Sequence, residues 1–138
     1  MRTPALRRAY LAAHYHVAGP MGVVRVRIGI ASPGLRALQR RLGVVQSAFL
    51  TACNPGSRRR GAPANGLGHQ QLVRCLAALG YRRLPARGVD PRGHWPDEPG
   101  LLVPGLPAEL ALELGERFGQ NAVVHADRAG VPRLLWTP

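Results

Sequence analysis

The sequence predicts an α/β or α+β fold, a single mixed β-sheet of about seven strands with three main helices packed on it. Two observations carry that expectation. Short apolar runs of strand character alternate with longer stretches of helical periodicity, in the order ββ-α-β-α-ββ-α-ββ. Each of the three main helical stretches also stops at a glycine, Gly43, Gly80 or Gly119, as helices commonly do. With 138 residues, a single domain spanning 1–138 is expected, large enough to bury roughly two-thirds of its unfolded surface.

Taken in order, Leu6, Tyr10 and Ala13 share a helical face after Pro4 and predict a short helix over 5–13. Residues 15–17 and 23–30 read as strands joined at Gly19-Pro20. In the second, Val24, Val26 and Ile28 alternate with Arg25 and Arg27, as in a sheet with one wet face. Ser32-Pro33 is a helix start, a capping hydroxyl followed by proline in the first turn, with Leu35, Leu38 and Leu42 as the stripe behind it. Ala48 to Cys53 is a continuous apolar run, the mark of a buried strand, and it stops at four turn formers, Asn54-Pro55-Gly56-Ser57. Pro55 should hold Asn54 extended. Arg58, Arg59 and Arg60 follow in a Gly/Pro/Ala loop, and Asn65 is the expected cap of a helix over 66–79 whose inward residues are Leu72, Val73, Leu76 and Leu79.

Residues 81–89 read as a strand weakened by Pro85, 90–100 as a loop rich in prolines and acids, and 101–103 as a short strand. Pro107 opens a third main helix with Leu110, Leu114 and Phe118 inward. Strands over 121–125 and 131–136 close the chain around the turn Asp127–Gly130. On this phasing Phe49, Leu72, Leu76, Leu102, Leu110, Leu114 and Val123 should be buried. Strand order does not follow from the pattern.

Charge is the most informative bulk property. All nineteen basic residues are arginine, which a GC-rich coding sequence would explain. Their distribution is different in kind. Residues 1–89 hold fifteen arginines and no Asp or Glu (+15), and residues 90–138 hold four arginines against seven acids (−3), which together give the net +12. Such asymmetry points to a polyanionic partner (nucleic acid, a nucleotide or an acidic protein surface), with a solvated basic face, the negative segment folded against it, as the equal alternative. No apolar run approaches the ~20 residues of a membrane span, and the first residues lack the apolar core of a secretory signal. A cytoplasmic protein is expected, with no membrane partner, and its oligomeric state is left open. Cys53 and Cys75 read as two buried thiols.

A strand leading through an arginine-bearing loop into a helix is a common binding position in α/β proteins. The candidate ligand-binding residues are Thr51, Asn54, Ser57, Arg58, Arg59, Arg60 and Asn65 from this segment, joined by Trp95, Glu98, Gln120 and Asn121. The loop is not a nucleoside-triphosphate loop, since no Lys-Ser/Thr pair follows Gly61 or Gly66. His94, Asp97 and Glu98 form the one dense group of acid–base residues, and are the weak catalytic candidates. His14 and His16 share a strand face, a weak metal pattern, and no metal or cofactor is assigned. Nothing in the motifs decides whether the protein is an enzyme.

Thr51-Ala52-Cys53-Asn54-Pro55, Asn65, Trp95-Pro96-Asp97-Glu98-Pro99 and Phe118-Gly119-Gln120-Asn121-Ala122, with Tyr10 and Tyr15 before them, resemble the bacterial family catalogued as domain of unknown function 3293. The resemblance runs from about Tyr10 to Trp136. It implies a small free-standing domain and no particular activity. Cys53 departs from it, because relatives usually carry an aromatic ring there. The expected function is binding of an anionic partner (nucleotide, phosphorylated ligand or nucleic acid) through segment 51–65. The alternatives are an enzyme on a phosphorylated or nucleotide-like substrate with Glu98 as general base, and a protein-interaction module with no small-molecule site.

Overall fold

The computed structural model describes residues 3–138. It contains α1 (Pro4–Ala12), β1 (His14–Gly19), β2 (Gly22–Val26), α2 (Pro33–Arg41), β3 (Ser47–Leu50), α3 (Ala62–Ala78), β4 (Leu84–Val89), β5 (Glu98–Pro104), α4 (Ala108–Arg117), β6 (Ala122–Ala126) and β7 (Pro132–Trp136), with a 3₁₀ turn at Pro55–Ser57. Four helices accompany the seven strands: the three main ones and the short helix expected over 5–13. The fourth is α1, started by the Thr3 hydroxyl, which accepts the Leu6 N–H at 3.1 Å. Ser32 caps α2 in the same way through the Leu35 N–H.

The seven strands form one sheet in the order β2-β1-β4-β5-β3-β6-β7, and every neighbouring pair is antiparallel. The expectation of a mixed sheet is corrected by the way the helical crossovers run. A strand-helix-strand connection joins strands of like direction. Here α3 carries the chain from β3 to β4 with β5 between them, and α4 carries it from β5 to β6 with β3 between them. Each crossover skips a strand, so like-directed strands never become neighbours.

The sheet is curled. Gly29, just past edge strand β2, donates its N–H to the carbonyl of Pro132 at the start of the opposite edge strand β7 (2.7 Å), and Ser32 N–H reaches Gly130 O (3.0 Å). Both faces are covered. Ala48, Leu50, Leu101, Val103 and Val123 meet α3 and α4 through Leu72, Leu76, Ala111 and Leu114. Phe49, Leu102, Val124, Tyr15 and Val17 form the other core with Leu35 and Leu38 of α2, and Tyr10 and Leu11 of α1 pack against it. The alternation Ala48/Phe49/Leu50 thus feeds two cores from one strand. Six of the seven residues expected inside are buried; Leu110, at the margin of the α4 stripe, is half-buried.

Two local expectations fail around the central turn. The helix expected over 66–79 begins at Ala62, with Gly61 in the capping position, so Asn65 lies inside its first turns and does not cap it. Pro63 accounts for the earlier start, since the first turn of a helix tolerates proline, which has no N–H to satisfy. Asn54, expected to be extended before Pro55, is instead left-handed (φ 48, ψ 60). The hydrogen bonds described next hold it there.

Candidate functional site

Beyond Leu50 the chain leaves the strand but stays inside, beside the start of β5. The Thr51 hydroxyl donates to Pro99 O (2.9 Å) and accepts the Cys53 N–H (3.0 Å). Asn54 then uses every polar atom of its side chain. Its Oδ1 accepts from Arg60 N–H (2.9 Å) and Asn65 Nδ2 (3.0 Å), and its Nδ2 donates to Glu98 Oε2. Its backbone N–H goes to Asn65 Oδ1 (2.9 Å). Left-handed backbone is disfavoured for residues with a Cβ, and these bonds offset that cost. Ser57, three residues on, is also left-handed (φ 60). Two such non-glycine residues in one short turn are a local concentration of backbone strain, a feature that clusters at functional sites.

Glu98 is the convergence point. Its Oε2 accepts both the Asn54 amide and the Trp95 indole N–H (2.8 Å). Among the described residues its Oε1 has no hydrogen-bond partner, and it is not a fully buried atom. Glu98 also forms no ion pair among the described residues. The Trp95 loop is fixed from below by Asp90, whose carboxylate accepts the N–H groups of Arg92 (3.0 Å), His94 and Trp95 (both 3.1 Å). The backbone bond from Arg92, with its nearby guanidinium, lowers the Asp90 pKa below the usual carboxylate value. Gln120 is buried, and its Nε2 donates to Cys53 O (3.0 Å). Cys53 and Asn54, consecutive in sequence, are thus tied to two distant segments.

These groups border a cavity of about 340 Å³, within the size range of small-ligand sites. Thr51, Cys53, Asn54, Ser57, His94, Trp95, Glu98 and Gln120 line it, with Tyr10 of α1 and Tyr15 of β1 on its other walls. Burial raises the Tyr10 pKa, with a hydrogen bond to Ser57 acting against it. Tyr15 is 6 % exposed, and burial pushes its pKa well up, so both phenols stay neutral. Burial likewise raises the Cys53 thiol.

Several of the residues chosen from sequence lie outside the cavity. Arg60 turns back into the turn network, donating Nε to Asn65 Oδ1 (2.7 Å) and Nη2 to Ala52 O (3.0 Å). Asn65 serves the same network. Arg58 is exposed, and Arg59 lies over the Trp95 ring at 5.6 Å from its centroid. Asn121 bonds Ser57 Oγ (2.8 Å) behind the wall. Of the acid–base trio, His94 and Glu98 border the cavity, whereas Asp97 faces outward to Arg87 (3.2 Å). His14 and His16 sit on β1, with Arg25 and Arg87 opposite His16 on the flanking strands. Sequence reasoning missed Tyr10, Tyr15, Asp90 and Arg92 as site residues. The two tyrosines belong to the family resemblance, but an aromatic on an amphipathic stretch reads as core.

Of the arginines in residues 3–89, Arg87 is the one with an ion pair among the described residues; the other pairs, Arg92–Asp90 and Arg133–Asp127, lie within the acidic third. Among the described residues, Arg87–Asp97 is thus the one ion pair between the basic first two-thirds and the acidic segment. No described helix is long and apolar enough to cross a membrane.

The family model described as Protein of unknown function (DUF3293) matches residues 50–123, more than half of the chain. No curated protein and no solved structure matches it. Residues 50–123 take in the turn network, Trp95, Glu98 and Gln120, while Tyr10 and Tyr15 precede them. The chain belongs to the family of DUF3293 proteins, for which no function is established.

Proposed function

We propose that this is a small-ligand-binding domain whose ligand enters the cavity between α1, β5 and the turn after β3, and carries an anionic group that meets the arginines of the rim. The observation that carries this reading is the convergence of Asn54, Glu98 and Gln120, from three distant segments, on one aromatic-walled cavity. Hydrogen-bonding groups locked by their neighbours are what a preorganised site needs. Arg92 lines the cavity and Arg59 lies over its Trp95 wall, with exposed Arg58 next to it in sequence, and guanidinium groups suit phosphate or carboxylate. A nucleotide or another phosphorylated small molecule fits that division.

Thermal melts against a panel of nucleoside monophosphates, sugar phosphates and amino acids test the reading. A ligand that raises Tm in the native protein should lose its effect in Glu98→Gln and weaken in the Arg58→Gln/Arg59→Gln double variant. Binding that is insensitive to Glu98 would overturn it. A second reading, an enzyme with Glu98 as general base, is favoured by its Oε1 atom, which has no hydrogen-bond partner among the described residues. It requires turnover of a bound phosphorylated ligand that Glu98→Gln abolishes while binding persists.

A further inference from the structure

We infer that the inner end of this cavity takes an organic cation, an amidinium, guanidinium or ammonium group, so that the ligand is cationic inside and anionic at the rim. This rests on the cavity being the ligand site. Three observations carry it.

The chain has seven aromatic residues, two Trp, three Tyr and two Phe. Four of them, Tyr10, Tyr15, Phe49 and Trp95, line this one cavity. Aromatic rings present negative faces, and a cluster of them around one space attracts a cation. Trp95 already has a guanidinium, that of Arg59, over its ring.

The carboxylate inside is unpaired. Glu98 is half-buried, is held by two neutral donors on one oxygen, and lacks an ion-pair partner among the described residues. Arg92 is the one described arginine that lines the cavity, and it is already joined to Asp90 (3.5 Å). A half-buried carboxylate gains most from a charged N–H donor, whose hydrogen bonds are roughly twice as strong as neutral ones.

The remaining polar atoms favour a donor-rich ligand. Gln120 Nε2 is used on backbone carbonyls, which leaves Oε1 as an acceptor with no partner among the described residues; Gln120 is 8 % exposed and lines the cavity. Glu98 Oε1 and Gln120 Oε1 are then two acceptors for one ligand head with several N–H groups. An anion placed there would face both oxygens and the carboxylate charge.

The test compares three isosteric probes of different charge, benzamidine, benzamide and benzoate, by calorimetry with the full chain. Benzamidine should bind about tenfold more tightly than benzamide, with benzoate weakest. Glu98→Gln, which keeps a carbonyl oxygen for Asn54 and Trp95, should shrink the benzamidine preference to roughly twofold or less. The native series decides the matter even if that variant is unstable. Benzoate binding as well as benzamidine would overturn the inference and leave the ligand-binding reading standing. Silence from all three probes while phosphorylated ligands bind would do the same. Silence from every probe and every ligand of the thermal panel would overturn both.

Discussion

Asn54 and Asn65 hold each other by two reciprocal hydrogen bonds, Asn54 N to Asn65 Oδ1 at 2.9 Å and Asn65 Nδ2 to Asn54 Oδ1 at 3.0 Å. An amide one turn inside α3, not its capping position, locks a left-handed residue before a proline. Asn65→Ala should cost about 2–3 kcal/mol, more than the ~1 kcal/mol of a lost cap, because several groups lose their partner together. At position 54, Asn54→Gly should be less damaging than Asn54→Ala by about 1 kcal/mol, since glycine adopts positive φ without strain. Chemical denaturation of the three variants gives both numbers.

Replacing the Asn54 amide by a carboxylate sets two acids against each other. In Asn54→Asp, the atom that donated to Glu98 becomes a second carboxylate oxygen, so one of the pair has its pKa raised above its unfolded value. The folded state then binds more protons than the unfolded one, and stability rises as pH falls. A loss of about 2 kcal/mol near pH 7 should shrink toward pH 5. Melts across that range in variant and parent give the difference directly.

His125 supplies a titration of opposite sense in the parent protein. Its Nε2 lies 3.1 Å from Gln46 Oε1 and 3.2 Å from Leu106 O, two acceptors that call for the Nε2–H tautomer. Burial lowers its pKa from the ordinary 6.5, with the Leu106 carbonyl acting the other way. The unfolded chain therefore takes up the proton first, and the stability this neutral ring contributes is present above about pH 6.5 and is lost as pH falls below it. His125→Gln should flatten the stability profile between roughly pH 6.5 and pH 5.

The three consecutive arginines should separate into two roles. Arg60 holds Asn65 and Ala52, so Arg60→Gln should lower stability by about 1–2 kcal/mol. Arg58→Gln/Arg59→Gln should leave the melt within about 0.5 kcal/mol of the parent, as exposed sites usually do, and should weaken anion binding. If the basic surface also meets nucleic acid, that binding should fall steeply with salt, and the double variant should reduce the slope by about two charges. Filter binding at several salt concentrations would measure it; a slope unchanged in the double variant would remove both arginines from the contact.

Periodicity made the helices and the central strand legible. Leu72, Leu76 and Leu114 sit where a 3.6-residue repeat places them, and Ala48, Phe49 and Leu50 are all buried. Sheet order was not legible, because pairing β3 with β5 and β6 joins residues some fifty to eighty positions apart, and no local pattern records that. Around the site, Asn54, Glu98 and Gln120 stood out as polar residues inside otherwise apolar or proline-rich blocks. An asparagine before an apolar repeat is the usual cap signature, but Asn65 lies inside α3 because Pro63 lets the helix start earlier. The sequence reading prefers Glu98 over Asp97 as the ligand-binding and general-base candidate, although residue type alone gives no reason for the choice. Only the extended start of β5 separates them, Glu98 bonding Asn54 and Trp95 while Asp97 meets Arg87.

The central claim is that the space bordered by Glu98 and the four rings is where this domain meets its ligand. Side-chain N–H resonances report on it directly, because the Trp95 indole and the Asn54 and Gln120 amides are all bonded at the cavity wall. Titration with the nucleotide, sugar phosphate or amino acid that raises Tm most in the thermal panel, followed by ¹H–¹⁵N NMR, should shift those three resonances together with one saturating curve. The backbone amides of α2, on the far side of the Tyr15–Phe49 core, should stay in place. Shifts confined to the arginine-bearing surface, with the Trp95 indole unmoved at saturation, would contradict the account.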